Sequence, residues 1–192
     1  MKNWVINLDK RPERWGTVKE HLNEQGLFVT RFSGINNGWR GCRDSHLAIM
    51  EKATEGIPFA IFEDDVEFIE DISYVNLAMS QLPKNNWDAL YLGASPQEPQ
   101  KRYSDNLFTL INAFCMHAII WNPRKDGAID YMLSHRSIID KIDVFMAWEV
   151  MTRFPCFVTY PMVCTQRWTG TSDTCYKSDT GTIIENYQRY CK

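Results

Sequence analysis

Apolar and polar positions along this chain alternate in blocks that predict strands and helices in turn. Trp4-Val5-Ile6-Asn7-Leu8 reads as a short buried strand. Asp9 offers a helix N-cap, Pro12 suits a first turn, and Gly26 follows a helix of about a dozen residues. Phe28 to Phe32 suggests a second strand, and Asn36-Asn37-Gly38 a turn. A helix is expected from about Asp44 to Ala53, closed by Gly56 and Pro58. Phe59-Ala60-Ile61-Phe62 is too short for a helix and reads as a buried strand whose C-terminal end carries Glu63-Asp64-Asp65.

The second half continues the pattern with more β character. A helix is expected over Ile72 to Leu82, a strand over Ala89 to Leu92, and a loop over the polar stretch Ser95 to Asp105. Leu107 to Ile111 and Phe114 to Trp121 read as β segments, Asn122-Pro123 as a helix start, Asp143 to Phe154 as helix, and Phe157 to Tyr160 as a last strand. Alternating strands and helices imply an α/β layer fold with a mixed, largely parallel sheet flanked by helices. Such sheets bind ligands beyond the carboxyl ends of their strands.

At 192 residues the length suits one domain, 1–192, and no repeat or linker interrupts it. A net charge of -3 argues against nucleic acid as a partner, although Lys10, Arg11 and Arg14 form a local basic cluster suited to a small anion. No apolar stretch is long enough for a signal peptide or a membrane span. Six scattered cysteines without a C-x-x-C pair point to free thiols and a cytoplasmic setting.

Three motifs carry candidate chemistry. Adjacent carboxylates at Glu63, Asp64 and Asp65 repel one another unless a cation or donors offset them, and Mg²⁺ or Mn²⁺ takes such oxygen ligands alongside substrate phosphates. The plainer reading is a solvated acidic turn. Asn7-Leu8 is followed by Arg11 and Arg14, three apart on one face near a helix start, where donors and dipole favour a diphosphate. The same arginines also fit the outside of an amphipathic helix. Gly41-Cys42-Arg43-Asp44-Ser45-His46 reads as a helix start with Ser45 and His46 facing a ligand; equally, Asp44 or Ser45 caps the helix and His46 is a core histidine.

Taken in order, N-L-x-x-R-x-x-R at residues 7–14, G-C-x-x-S-H at 41–46 and E-D-D-V at 63–66 resemble glycosyltransferase family 25, which includes bacterial lipooligosaccharide and collagen galactosyltransferases. Lys141-Ile142-Asp143 resembles the family's late aspartate segment, and Tyr160-Pro161, Gln166 and Ser172-Asp173 its closing pattern. The chain is shorter than typical members, which puts the acceptor-binding elements in question.

The resemblance implies a single-domain GT-A (Rossmann-like) fold and transfer of a hexose from a UDP-sugar donor to a glycan or glycoprotein acceptor, assisted by Mn²⁺ or Mg²⁺. It implies Asp65 as metal ligand, Asp64 as the ribose contact and Glu63 as a water-mediated partner. Asn7, Leu8, Arg11, Arg14, Ser45 and His46 would complete the nucleotide-sugar site. Inverting transfer also needs a base for the acceptor hydroxyl. Asp143 is the first candidate and Glu149 the second, and six positions apart on a helix they do not share a face. Thr165 to Asp179, with Trp168 and Tyr176, reads as a lid within a 165–192 tail that would exclude water. A catalytically silent nucleotide-sugar or glycan-binding module is the alternative. A nucleotidyltransferase fits less well, because Asp9-Lys10-Arg11-Pro12 lacks a glycine-rich loop.

Overall fold

The computed structural model describes residues 1–167 and 180–192. Trp168, Ser172-Asp173, Tyr176 and the expected lid as far as Asp179 therefore lie outside the described residues. In chain order the elements are β1 (Lys2–Asn7), α1 (Pro12–Glu24), β2 (Thr30–Ser33), α2 (Gly38–Met50), β3 (Phe59–Glu63), β4 (Val66–Phe68), α3 (Ser73–Gln81) and β5 (Ala89–Tyr91). There follow β6 (Ser95–Pro96), β7 (Lys101–Ser104), β8 (Leu107–Leu110), β9 (Ala113–Phe114), β10 (Ala118–Trp121) and α4 (Ala128–Ser134). Last come α5 (Ile142–Phe145), β11 (Cys156–Thr159), β12 (Cys164–Gln166) and α6 (Thr180–Tyr190).

Eight strands form one sheet in the order β2-β1-β3-β10-β5-β11-β8-β7. β1 pairs in parallel with both β2 and β3, and β5 with β11, while β10 and β8 run against their neighbours. Six strands thus share one direction, and the expected mixed, largely parallel α/β sheet is present.

Side-chain alternation sorts the core onto two faces. In β3, Phe59 and Ile61 join one cluster, with Leu47, Ile129, Ile142 and Ile183 from α2, α4, α5 and α6. Ala60 and Phe62 join the other, with Val18 and Leu22 of α1 and Val75 of α3. The middle strands are buried on both sides, which explains their unbroken apolar runs.

Several local expectations need correction. α2 begins at Gly38, so Gly41 to His46 lie inside the helix and not in its first turn. A Cβ on Gly41 would stand 1.9 Å from the Ile35 carbonyl oxygen. The glycine is there for close approach of a neighbouring backbone, and it is not a helix boundary. Asp9 does not cap α1, whose N-cap is Arg11; its carboxylate accepts from Ser33 Oγ at 2.7 Å and pairs with Arg31 at 2.8 Å. The stretch expected as a loop contains β6 and β7, which pair with β9 and β8. The segment from Asn122-Pro123 turns before α4 begins at Ala128, and the helix opened by α5 widens into a π turn over Met146–Val150.

Candidate active site

The carboxyl ends of β1 and β3 converge with the segment leading into β10, because the Glu63 amide donates to the His117 carbonyl at 2.9 Å. A cavity of about 540 Å³ opens at this edge of the sheet. Its wall includes Glu63 of β3, Cys42 of α2, Asp143 of α5, Gln166 of β12, and Ile183 and Asn186 of α6. Trp39 stands in the wall with the Lys141 ammonium 4.8 Å from its ring centre. Cys115, also in the wall, is held at φ 77°, a left-handed conformation uncommon for a residue with a Cβ.

The three carboxylates of the triplet occupy different environments. Asp64 accepts from Asn7 Nδ2 at 2.7 Å and pairs with Arg14 Nη1 at 3.2 Å. Burial still raises its pKa above the ordinary carboxylate value, against the pull of Asn7 and Arg14. Glu63 faces α2, where His46 Nε2 lies 3.1 Å and Cys42 Sγ 3.6 Å from its Oε1. Burial pushes this carboxyl up, but the His46 hydrogen bond and charge prevail and hold it below the usual range.

Asp65 is the exception. Its Oδ1 is buried with no partner among the described residues, and its Oδ2 meets Gln166 Nε2 only at 3.5 Å. Burial first, then the charges of Glu63 and Asp64, push this carboxyl up to about 8. An acid left this way costs free energy when ionised unless a cation stands beside it.

The N-terminal motif assembles around Asn7, the last residue of β1. Its amide also donates to the Arg11 carbonyl at 2.9 Å, its Oδ1 accepts from Arg31 Nε at 2.9 Å, and the Leu8 carbonyl accepts from the Arg11 amide at 2.9 Å. Arg11 lies 3.8 Å from Glu13. Arg31 was not singled out from the sequence; only the parallel register that sets Val5 against Arg31 and Asn7 against Ser33 brings it here.

Ser45 and His46 are both buried. Ser45 Oγ accepts from the Ile35 amide at 2.9 Å and donates to the Gly41 carbonyl at 2.7 Å, so it fastens the loop before α2. Asp143 lines the cavity, its Oδ1 accepting from the Val144 amide at 2.8 Å. Burial, and next to it the nearby Glu63 charge, raise its carboxyl above the ordinary value, against the Val144 bond. Glu149 is absent from the cavity wall; it pairs with Arg153 at 2.9 Å on an exposed face.

No family model matches the chain, and no curated protein matches it by sequence. Among solved structures it is similar to A197 from STIV, with a TM-score of 0.53 and 9% identity, covering 88% of this chain and 86% of that one. The likeness is one of fold. Two further similar structures are a glycosyltransferase involved in glycosylation of the major capsid of PBCV-1 and HddC from Yersinia pseudotuberculosis. The first has a TM-score of 0.47 and 11% identity, covering 97% of this chain and 98% of that one. The second has a TM-score of 0.47 and 12% identity, covering 100% and 98%. Among the described residues no helix is long and apolar enough to cross a membrane.

Proposed function

We propose that this chain is a metal-assisted glycosyltransferase that moves a hexose from a UDP-sugar onto a glycan acceptor. The observation that carries this reading is Asp65, whose buried carboxylate oxygen has no partner among the described residues and whose neighbours Glu63 and Gln166 line a cavity at the carboxyl ends of parallel strands. The donor it offers is a carboxylate oxygen, which suits Mn²⁺ or Mg²⁺, and its neighbours Asp64 and Glu63 are already engaged by Asn7, Arg14 and His46. Such an ion supplies charge neutralisation for a diphosphate leaving group.

The chain's own residues would do the rest. Asp64, fixed by Asn7 and Arg14, would accept from a ribose hydroxyl through whatever lone pairs those donors leave open. Asp143 would take the acceptor hydroxyl's proton as the new bond to the sugar's anomeric carbon forms. The bond from that carbon to the diphosphate oxygen breaks at the same time, and its electron pair leaves with UDP. A carboxyl pKa raised by burial favours this role, since a base works best when its pKa approaches the working pH. Cavity walls of Trp39, Phe114 and Ile183 would limit water, the competing acceptor.

Calorimetry with UDP in Mn²⁺ and in excess chelator tests the reading. Binding should be far tighter with the metal, and Asp65→Asn should abolish the difference while keeping the fold. Equal affinities in the two conditions would remove metal assistance. Metal-dependent UDP binding with no hydrolysis or transfer from any UDP-sugar would make the chain a binding module.

A further inference from the structure

One cluster at the edge of the cavity supplies no reacting group to the proposed transfer. Cys42 and His46 are four apart on α2, so their side chains rise from one face of the helix, directly above Glu63 at the end of β3. Cys42 Sγ, His46 Nε2 and a Glu63 carboxylate oxygen all lie within 4.8 Å of one another. We propose that Cys42, His46 and Glu63 form a site for a borderline-soft divalent cation, with zinc the best fit, separate from the Asp65 carboxylate.

The distances suit that ion. Zinc bonds of about 2.3 Å to sulfur and about 2.0 Å to nitrogen and oxygen, set at tetrahedral angles, put sulfur and oxygen about 3.5 Å apart and nitrogen and oxygen about 3.3 Å apart. The observed separations are 3.6 Å from Cys42 Sγ to Glu63 Oε1 and 3.1 Å from His46 Nε2 to the same oxygen. A thiolate and an imidazole select zinc or cobalt over Mg²⁺ and Mn²⁺, which take oxygen ligands.

The arrangement also leaves one position open. His46 is fully buried, whereas Cys42 and Glu63 both reach the cavity wall. Three protein ligands with a fourth position open to a cavity is the pattern of zinc sites that bind water or a substrate atom. On binding, the Cys42 thiol loses its proton to solvent and its sulfur bonds the metal. The His46 Nε2–H, which donates to Glu63 in the empty site, also gives its proton to solvent; its freed lone pair and a Glu63 oxygen complete the protein's share, and the imidazole carries its remaining proton on Nδ1. No oxidation or reduction takes place.

Cobalt substitution tests the site directly. Chelator-treated, folded protein titrated with Co²⁺ should develop a thiolate-to-cobalt charge-transfer band and tetrahedral visible bands. Both should saturate at one equivalent and be displaced by zinc. Cys42→Ser should lose the charge-transfer band, with circular dichroism unchanged. Cys115→Ser, which alters the other cavity-wall cysteine, should keep it. A folded wild-type protein without the band, or a band that survives Cys42→Ser, would overturn the proposal. Because Mn²⁺-dependent UDP binding is read separately by calorimetry, failure here leaves the transferase reading untouched, and the converse holds too.

Discussion

The side-chain amide of Asn7 donates to Asp64 Oδ2 at 2.7 Å, joining the end of β1 to the turn after β3 across 57 positions of sequence. The same amide donates to the Arg11 carbonyl, so one residue orders both the start of α1 and the middle acid of the triplet. Asn7→Ala should cost about 1–3 kcal/mol, the usual penalty for leaving buried polar partners unpaired. A double-mutant cycle with Asp64→Asn, read by urea denaturation, should return a coupling of about 0.5–3 kcal/mol. Additive effects would mean the contact contributes nothing of its own.

Asp65 gives a pH dependence whose sign can be worked out. Its folded carboxyl sits near 8, above the ordinary unfolded value of 3.8, so the folded state holds a proton that the unfolded state has lost. Stability from this group is complete below the unfolded value and falls as pH rises toward 8. In chelator, the difference in unfolding free energy between wild type and Asp65→Asn should shift by about 1 kcal/mol against wild type between pH 7 and pH 8. A difference that stays flat would show that Asp65 is ionised throughout.

His117 acts in the opposite sense and becomes visible once Asp65 is neutralised. Burial lowers its folded value to about 4 from the ordinary 6.5, so the unfolded state binds the proton first on acidification. The Asp65→Asn background should therefore lose about 3 kcal/mol as pH falls from 6.5 to 4, beyond what a His117→Gln partner variant loses. Matching acid limbs in the two proteins would place the lost stability elsewhere.

Gly41→Ala pits two effects against each other. Alanine gains about 1 kcal/mol in intrinsic helix propensity. Its Cβ, however, would stand 1.9 Å from the Ile35 carbonyl oxygen, which is backbone and cannot rotate aside. The contact should win, with net destabilisation of about 2 kcal/mol or more in chemical denaturation. A neutral or stabilised variant would show that the loop before α2 is free to yield.

Asp143→Asn tests the base. Turnover should fall by about 10²–10⁴-fold with the donor's Michaelis constant unchanged, because the group acts on the acceptor in the transition state. Normal turnover would remove Asp143 from the reaction. Weakened donor affinity would set it against the donor sugar instead.

The sequence was most legible where local pattern and tertiary burial agree. Phe59 to Phe62 is buried on both faces, and its continuous apolar run gave the strand and the position of the acids after it. Gly41 misled because a glycine that admits a neighbouring backbone looks, in sequence, like one that ends a helix. α6 went unread although Ile183, Tyr187 and Cys191 recur every fourth position and are all buried, since the polar residues between them suggested a tail. Arg31 and the Cys42–Glu63 contact depend on strand register and helix-to-sheet placement, which no local spacing contains.

The cavity described above draws its wall from α2, from β3, from the approach to β10, from β12 and from α6. During synthesis, then, the ribosome delivers Trp39 and Cys42 early and Ile183 and Asn186 long afterwards. A nascent chain can pair β1, β2 and β3 and bury much of its core while the pocket still lacks one side. Binding competence is thus acquired as a late event, separate in time from the first folding of the sheet, and a chain arrested after β12 would be an architecture awaiting its last wall.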